Sequence, residues 1–145
     1  MNYRVISAKD TYQLRWRVLR PHQNISEMAY PFDDHPKAFH GGALNNQNII
    51  GIVSLYPMDM DDSESFAHWR LRGMAVLPEH QGAGIGRQLV LNCLEYAKNN
   101  GAQSIWCNAR TKALDFYLRL GFKREGDEFD ISGIGPHYVA RYTFN

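Results

Sequence analysis

The sequence predicts an α/β fold with a mixed central sheet and helices on both of its faces. Three observations lead to this prediction. Segments in which apolar and polar residues alternate are separated by segments in which apolar residues recur at helical spacing. A glycine-rich loop at residues 82–86 follows an apolar strand and precedes an amphipathic helix. The length of 145 residues is that of one domain with a sizeable core, so we expect residues 1–145 to form a single domain.

The chain is predicted to begin with a strand over Tyr3–Ala8, where apolar and polar residues alternate. A helix follows, with Asp10 or Thr11 as its N-cap and Pro21 as the residue that ends it. Residues 22–39 show little periodicity and are predicted to be irregular, and loops of this length often line binding sites.

A β-hairpin and a long strand are predicted next. Ala38–Leu44 and Ile49–Met58 form the hairpin across the polar turn Asn45-Asn46-Gln47. Phe66–Leu77 is predicted to be a long strand, in which Gly73 indicates a β-bulge or a close backbone approach. This strand runs directly into the glycine-rich loop.

The helix after the loop has apolar residues every four positions and a stop signal at Asn100-Gly101. A short apolar strand is then predicted over Gln103–Cys107, followed by a helix with Thr111 as its cap. The last two strands are predicted over Phe122–Glu125 and Tyr138–Phe144, with a long glycine-containing loop between them.

The composition excludes several classes of function. A net charge of +1, from 16 basic and 15 acidic residues, gives no support to nonspecific nucleic-acid binding. No apolar run approaches the roughly 18 residues that span a membrane, and the N-terminus shows no cleavage signal. Cys93 and Cys107 lack metal-ligand spacing, so we expect no metal, reduced core thiols and a cytoplasmic protein.

The glycine-rich loop predicts a pyrophosphate site. Glycines at 82, 84 and 86 let several backbone N–H groups point at one anion beside the positive end of the helix dipole. A dinucleotide-binding Gly-x-Gly-x-x-Gly would need its third glycine at Arg87 or Leu89, and neither position is glycine. No Gly-Lys pair occurs in the chain, which excludes the phosphate loop of NTPases.

The spacing that fits is Gln81-x-x-Gly84-x-Gly86, which resembles the acetyl-CoA pyrophosphate loop of the GNAT acetyltransferases. A second segment, from Asn108 to Phe122, is similar to that family's Asn/Ala-x-x-Ala-x-x-Phe-Tyr-x-x-x-Gly-Phe signature. The order of predicted elements also matches the family over nearly the whole chain. The resemblance implies the GNAT acyl-CoA N-acyltransferase fold, with acetyl-CoA as the co-substrate.

Shorter matches resemble a small-molecule-type subgroup of this family, although Gly135 interrupts the subgroup's Gly-Ile-Pro-His. The resemblance implies transfer of an acetyl group to a primary amine of a small molecule or a protein. The charge balance and the lack of a long apolar run predict no nucleic-acid or membrane partner, and family members are often homodimers. A non-catalytic CoA-binding sensor on the same fold is the alternative. The matching segments are Leu19-Arg20-Pro21-His22-Gln23, Tyr30-Pro31-x-Asp33-Asp34, His40-Gly41 and Gly133-Ile134-x-Pro136-His137.

The resemblance also implies where the donor binds. Pantetheine and the thioester would meet the backbone edge of Met74, Ala75 and Val76, where the N–H of Val76 or of a neighbour would polarise the thioester oxygen. Asn108 would bond the pantetheine amide, or would serve only as a turn or helix-entry residue. Arg87 would pair with a phosphate, or would be a solvated surface residue. The implied pyrophosphate loop consists of Gln81, Gly82, Ala83, Gly84, Ile85, Gly86 and Arg87.

The catalytic groups follow from the same resemblance. Tyr117 matches the tyrosine that protonates the leaving thiolate, and a phenol with a pKa of about 10 suits that transfer. Its alternative role is that of a core tyrosine on an apolar helix face. For the base, His137 ranks first and Glu128 second, because both fall in the predicted C-terminal loop on the acceptor side. The remaining candidate bases are Glu79, His80, Asp130, His40, His68 and Asp33.

Overall fold

In a computed structural model of the protein, which describes Met1–Asn145, seven strands hydrogen-bond in the order β1-β2-β3-β4-β5-β7-β6. The neighbours β4 and β5 are parallel, whereas the pairs β1–β2, β2–β3, β5–β7 and β6–β7 are antiparallel. The mixed sheet and the order of elements confirm the predicted α/β class. The elements are β1 (Asn2–Val5), α1 (Ala8–Leu14), β2 (Phe39–Asn45), β3 (Asn48–Tyr56), β4 (His68–Val76), α2 (Ile85–Asn99), β5 (Ser104–Arg110), α3 (Leu114–Arg119), β6 (Lys123–Ile131) and β7 (Gly135–Thr143).

The chain divides into two compact units, so the single domain over residues 1–145 stays a prediction. The first unit comprises Met1–Tyr56 and Leu71–Tyr96, and the second comprises Pro57–Arg70 and Ala97–Asn145. Within the first unit, Leu14, Ile52 and Ala75 form a buried cluster. Both cysteines are buried and free. No helix is at once long and apolar enough to cross a membrane.

Helix α1 begins at a capping box that the sequence interpretation missed. The Asp10 N–H donates to the Ser7 hydroxyl at 3.2 Å, and the Ser7 N–H donates to the Asp10 carboxylate at 3.2 Å. The prediction of Asp10 or Thr11 as N-cap was wrong, because this reciprocal pair satisfies two backbone donors and starts the helix earlier. The early start also shortens the first strand, which ends at Val5. Thr11 is buried and bonds the Ala8 carbonyl instead.

A π-helical segment, Arg15–Leu19, continues α1. The Arg20 N–H donates to the Arg15 carbonyl at 3.1 Å, a bond from residue i+5 to residue i. Beyond it, the irregular region predicted for residues 22–39 contains only one short 3₁₀ turn, Ile25–Glu27, before β2. The prediction for this region is confirmed.

Positive φ angles and glycines in the first unit shape the hairpin, strand β4 and the packing of α2 on β3. The predicted hairpin is confirmed, and its turn uses positive φ angles at Asn46 and Gln47, as expected of a type I′ turn. Gly73 has φ +65°, which accords with the irregularity predicted inside β4. A Cβ added at Gly51 of β3 would lie 3.0 Å from the side chain of Ile85, so glycine allows α2 to pack directly on the strand.

The C-terminal hairpin is longer than predicted. β6 and β7 extend over residues 126–131 and 135–137, where a long loop was expected, and only residues 132–134 connect them. The prediction failed because a glycine can interrupt the alternation of a strand without ending the strand. Gly126, at φ +72°, lies in a register shift between Glu125 and Phe129 across which pairing continues. His137 and Glu128 therefore lie in strands and not in a loop.

Candidate active site

The glycine loop presents backbone donors to solvent. Gly82 and Gly84 have φ angles of +84° and +81°, and a Cβ added at either would meet no atom within 4 Å. The backbone conformation, and not crowding, therefore requires glycine. The Gln81 N–H donates to the Pro78 carbonyl. The next backbone N–H along the loop that donates to a backbone carbonyl is that of Gln88, which bonds Gly84. The N–H groups between them lie at the start of α2, where the helix dipole favours an anion.

Gln81 connects this loop to the end of β4. Its side-chain Nε2 donates to the Val76 carbonyl at 3.0 Å. An amide is suited to this role because it reaches back five residues and leaves no charge beside the loop. Arg87 is exposed on the first turn of α2, so its guanidinium is open to a charged ligand. The seven predicted loop residues thus run from the 3₁₀ turn after β4 into the first turn of α2, and their role in binding stays a prediction.

The end of β4 exposes selected backbone groups. The Leu77 N–H donates to the Ile50 carbonyl of β3 at 2.9 Å. Because successive residues of a strand direct their N–H groups to opposite sides, the N–H of Ala75 also faces β3. Those of Met74 and Val76 face away from β3. Of the three predicted residues, Met74 and Val76 therefore have the orientation that a ligand could use.

The second unit holds Asn108 and Tyr117. Asn108 is half-buried inside β5, opposite Val139, because the strand continues to Arg110. It was predicted to follow the strand, and the alternative that it is a turn residue is wrong. Tyr117 lies on α3 with 6% of its surface exposed, and its ring packs edge-on against Phe116 and Phe122 at centroid distances of 5.0 and 5.4 Å. This packing agrees with a core role and leaves the acid role a prediction.

His137 has a defined tautomer. Its Nδ1 lies 2.7 Å from the Gly135 carbonyl, and a carbonyl only accepts hydrogen bonds. We therefore assign the proton to Nδ1, which leaves Nε2 as the basic nitrogen of the neutral ring. The ring is buried and stacks on Phe129 at 6.0 Å. Glu128 is exposed instead, and its carboxylate accepts a hydrogen bond from the Thr111 hydroxyl at 2.7 Å.

The first unit contains a buried ion pair between Arg15 and Asp33 that the sequence analysis did not predict. Arg15 is fully buried and donates two hydrogen bonds to Asp33, at 2.7 and 2.9 Å. Its two terminal guanidinium nitrogens also reach the Met28 carbonyl and the hydroxyls of Ser54 and Tyr56, whereas its buried Nε has no hydrogen-bond partner. The sequence shows Tyr30-Pro31-x-Asp33 but gives no signal that links this segment to Arg15.

The ion pair removes Asp33 from the candidate bases. Burial by itself would raise the pKa of Asp33, but hydrogen bonds from Arg15, Tyr56 and the Tyr30 N–H outweigh burial and lower that pKa. A carboxylate held in this way is a poor proton acceptor. His40 is also engaged through both ring nitrogens, with Ser54 at 2.7 Å and the Asp33 carbonyl at 3.0 Å.

Comparison with known proteins defines the class. The model of the Acetyltransferase (GNAT) family matches residues 8–122. An uncharacterized N-acetyltransferase, YitI of Bacillus subtilis (strain 168), is 37% identical over 143 residues, which cover 99% of this chain and 96% of the relative. The chain belongs to the GNAT acetyltransferase family, and the predicted resemblance is confirmed. Its reaction is the acetyl-CoA-dependent acetylation of an amine.

Solved structures agree on the fold. Escherichia coli ElaA superimposes with a TM-score of 0.79 at 14% identity, over 98% of this chain and 99% of that one. An aminoglycoside 6'-N-acetyltransferase complexed with coenzyme A superimposes with a TM-score of 0.73 at 15% identity, over 99% and 97% of the two chains. No group of three or more His, Cys, Asp or Glu side chains is placed to hold a metal ion.

Proposed function

We propose that the first unit holds acetyl-CoA through two backbone surfaces. The N–H groups of residues 82–87 and the Arg87 side chain bind the pyrophosphate, and the N–H of Val76 bonds the thioester oxygen. The positive φ angles of Gly82 and Gly84, together with the open space around them, carry this proposal. Donors fixed before the ligand arrives stabilise developing negative charge without reorganisation. Met74 and Asn108 contact the pantetheine arm, and Ala75 contributes only packing.

In the proposed reaction, the acceptor amine loses a proton and attacks the thioester carbonyl, and the CoA thiolate leaves. His137 accepts the amine proton at Nε2, directly or through a water, because its Nδ1 proton is held by Gly135. Tyr117 donates its phenolic proton to the thiolate, and the second proton that the nitrogen loses as the amide forms restores the phenol through solvent. Glu128 is the second candidate for the base, since its carboxylate is exposed.

We propose a primary amine as the acceptor, on a small molecule in preference to a protein, because the N-terminal segments resemble the small-molecule subgroup. The two buried, free cysteines support a cytoplasmic location, where acetyl-CoA is available and thiols stay reduced. A homodimer remains an expectation from the family.

Tyr117→Phe tests this function against a non-catalytic CoA-binding module. We expect release of free CoA thiol to fall about a hundredfold, because a general acid contributes about that much. The dissociation constant of acetyl-CoA, measured by calorimetry, should stay within about twofold. Tyr142→Phe is the control, since its ring contacts the same aromatic row through Phe122. Unchanged turnover in Tyr117→Phe would exclude the acid role.

His137→Asn is the second arm of the same assay. The Asn amide can keep the hydrogen bond to the Gly135 carbonyl but supplies no basic nitrogen. We expect a loss of similar size at neutral pH and a smaller loss at alkaline pH, where more of the amine is already deprotonated. If Glu128→Gln shows this behaviour and His137→Asn does not, the base is Glu128. If no amine supports CoA release from the unmodified protein although acetyl-CoA binds, the non-catalytic module is favoured.

A further inference from the structure

Three arginines surround the ring of Tyr30 in the first unit. The guanidinium carbons of Arg72 and Arg15 lie 3.9 and 4.0 Å from the ring centroid, and that of Arg20 lies 5.5 Å from it. Two guanidinium groups this close to one centroid cannot occupy the same face, so Arg15 and Arg72 enclose the ring from opposite sides. Tyr30 is buried, which holds this arrangement in place.

Only Arg15 has a carboxylate partner. The two oxygens of Asp33 accept two hydrogen bonds from Arg15, one from the Tyr56 hydroxyl and one from the Tyr30 N–H, which uses the acceptor capacity of a carboxylate. The salt bridges of the chain include neither Arg20 nor Arg72. This cluster therefore carries more positive than negative charge.

Arg72 is half-buried, which makes the missing negative charge significant. Burial is the main factor that lowers its pKa, the electrostatic interaction with Tyr30 opposes that change, and the positive charge of Arg20 adds to it. A cation removed from water is costly unless an anion or an aromatic face compensates for it. Tyr30 supplies one such face, and the N–H groups of Arg72 remain available to an anion.

The π-helical segment directs two of these arginines to one side. On an α-helix, residues five positions apart point about 140° away from each other. The i+5 bond from Arg20 to Arg15 widens the turn, so that Arg20 lies one turn above Arg15 and also reaches Tyr30. Single turns of π-helix occur frequently at functional sites. The π-helical turn thus brings Arg20 to the same side of the helix as Arg15, next to Tyr30.

The cluster shares a strand with the proposed thioester site. Arg72 precedes Met74 by two residues and Val76 by four, which corresponds to about 7 and 13 Å along an extended strand. Between them, a Cβ at Gly73 would lie 3.3 Å from the Tyr30 ring and 3.4 Å from the Arg15 guanidine, so the cluster packs directly on β4. A small molecule could reach from the arginines to the donor.

We propose that Arg20 and Arg72 bind an anionic group, a carboxylate or a phosphate, on the amine that the protein acetylates. This proposal rests on the proposed function and names the chemical class of its acceptor. The planar guanidinium forms paired hydrogen bonds with either oxyanion. With its anion on the arginines, the acceptor directs its amine along β4 toward Met74 and Val76. Polycationic amines are excluded by the same positive charge.

Matched acceptor pairs test the class and separate the two anions. The carboxylate pair is β-alanine and β-alaninamide, and the phosphate pair is glucosamine 6-phosphate and glucosamine. We expect kcat/KM for the anionic member to exceed that of its neutral partner about tenfold or more in at least one pair. The pair that shows the preference identifies the anion. Equal or lower values for the anionic members of both pairs would overturn the proposal.

Variants locate the preference in the cluster. Arg72→Gln and Arg20→Gln should each raise KM for the anionic amine about tenfold and leave KM for the neutral amine and for acetyl-CoA unchanged. Arg72→Lys should restore part of the loss, because it keeps the charge without the planar fork. Arg17→Gln is the matched control, since Arg17 is an exposed arginine of the same π-helical segment. A rise in the acetyl-CoA KM would instead assign the arginines to the donor.

A binding measurement separates failure of this proposal from failure of the proposed function. With the donor site saturated by CoA, inorganic phosphate or acetate should raise the melting temperature of the unmodified protein. The increase should be absent in Arg20→Gln, and because the Arg20 side chain is half-exposed we expect this variant to fold. This result is expected even if none of the four amines is acetylated. An equal increase in both proteins would show that the anion binds elsewhere and would refute the site.

Discussion

The glycine loop and the Arg15–Asp33 ion pair are both polar regions of the first unit, yet their hydrogen bonding is opposite. The loop directs N–H groups outward, and the glycines keep the space around them open. The ion pair is buried, and Asp33 accepts as many hydrogen bonds as a carboxylate can. We therefore expect the open N–H groups of the loop to serve binding and the saturated carboxylate of Asp33 to support the fold. The predictions below test this contrast.

The largest effect is expected from Asp33→Asn. The substitution leaves the buried Arg15 charge without a counter-ion, and breaking a buried pair in this way costs about 3–5 kcal/mol of unfolding free energy. Urea denaturation measures the loss. Asp34→Asn is the control, because Asp34 is the exposed neighbour and should change stability by less than about 0.5 kcal/mol. Equal stabilities of the two variants would contradict a supporting role for the ion pair.

The next effect is expected from Gly84→Ala, compared with Gly101→Ala. Both glycines have φ angles near +80° and open space around them, so alanine should cost each about 1–2 kcal/mol of backbone strain. Only Gly84→Ala should also raise the dissociation constant of acetyl-CoA, by about tenfold, because it displaces the loop N–H groups. Calorimetric titration checks this result. A similar loss of affinity in Gly101→Ala would show that strain alone weakens binding.

The smallest effect is the dependence of stability on acid. The folded pKa of Asp33 lies below its unfolded value of about 3.9, so the unfolded chain binds more protons in that range. Its contribution to stability is complete above that value and is lost as pH falls below about 4 toward the folded pKa. Urea unfolding between pH 5 and 3 should show a steeper loss in the unmodified protein than in Asp33→Asn. If the unfolding free energy fell equally with pH in both proteins, Asp33 would not be the group responsible for the acid dependence.

The prediction of the donor loop rests on signals that are local in the sequence. Gln81, Gly84 and Gly86 lie within six residues, and glycine spacing alone excludes the dinucleotide and NTPase alternatives. The periodic helix α2 also matched its predicted extent closely, with Gly101 at φ +82° after its end. Predictions failed where one local signal had two meanings, as at Gly126, which interrupts the alternation without ending the strand.

By itself, the sequence determined the class of fold and the family and predicted the residues of the donor loop, because each depends on neighbours in the chain. Only the tertiary structure decided that Arg15 meets Asp33, Ser54 and Tyr56, which lie 18, 39 and 41 positions away. It also decided that Arg20 and Arg72 share the ring of Tyr30 without a carboxylate. Long-range pairing depends on how strands return past one another, and no short pattern records that.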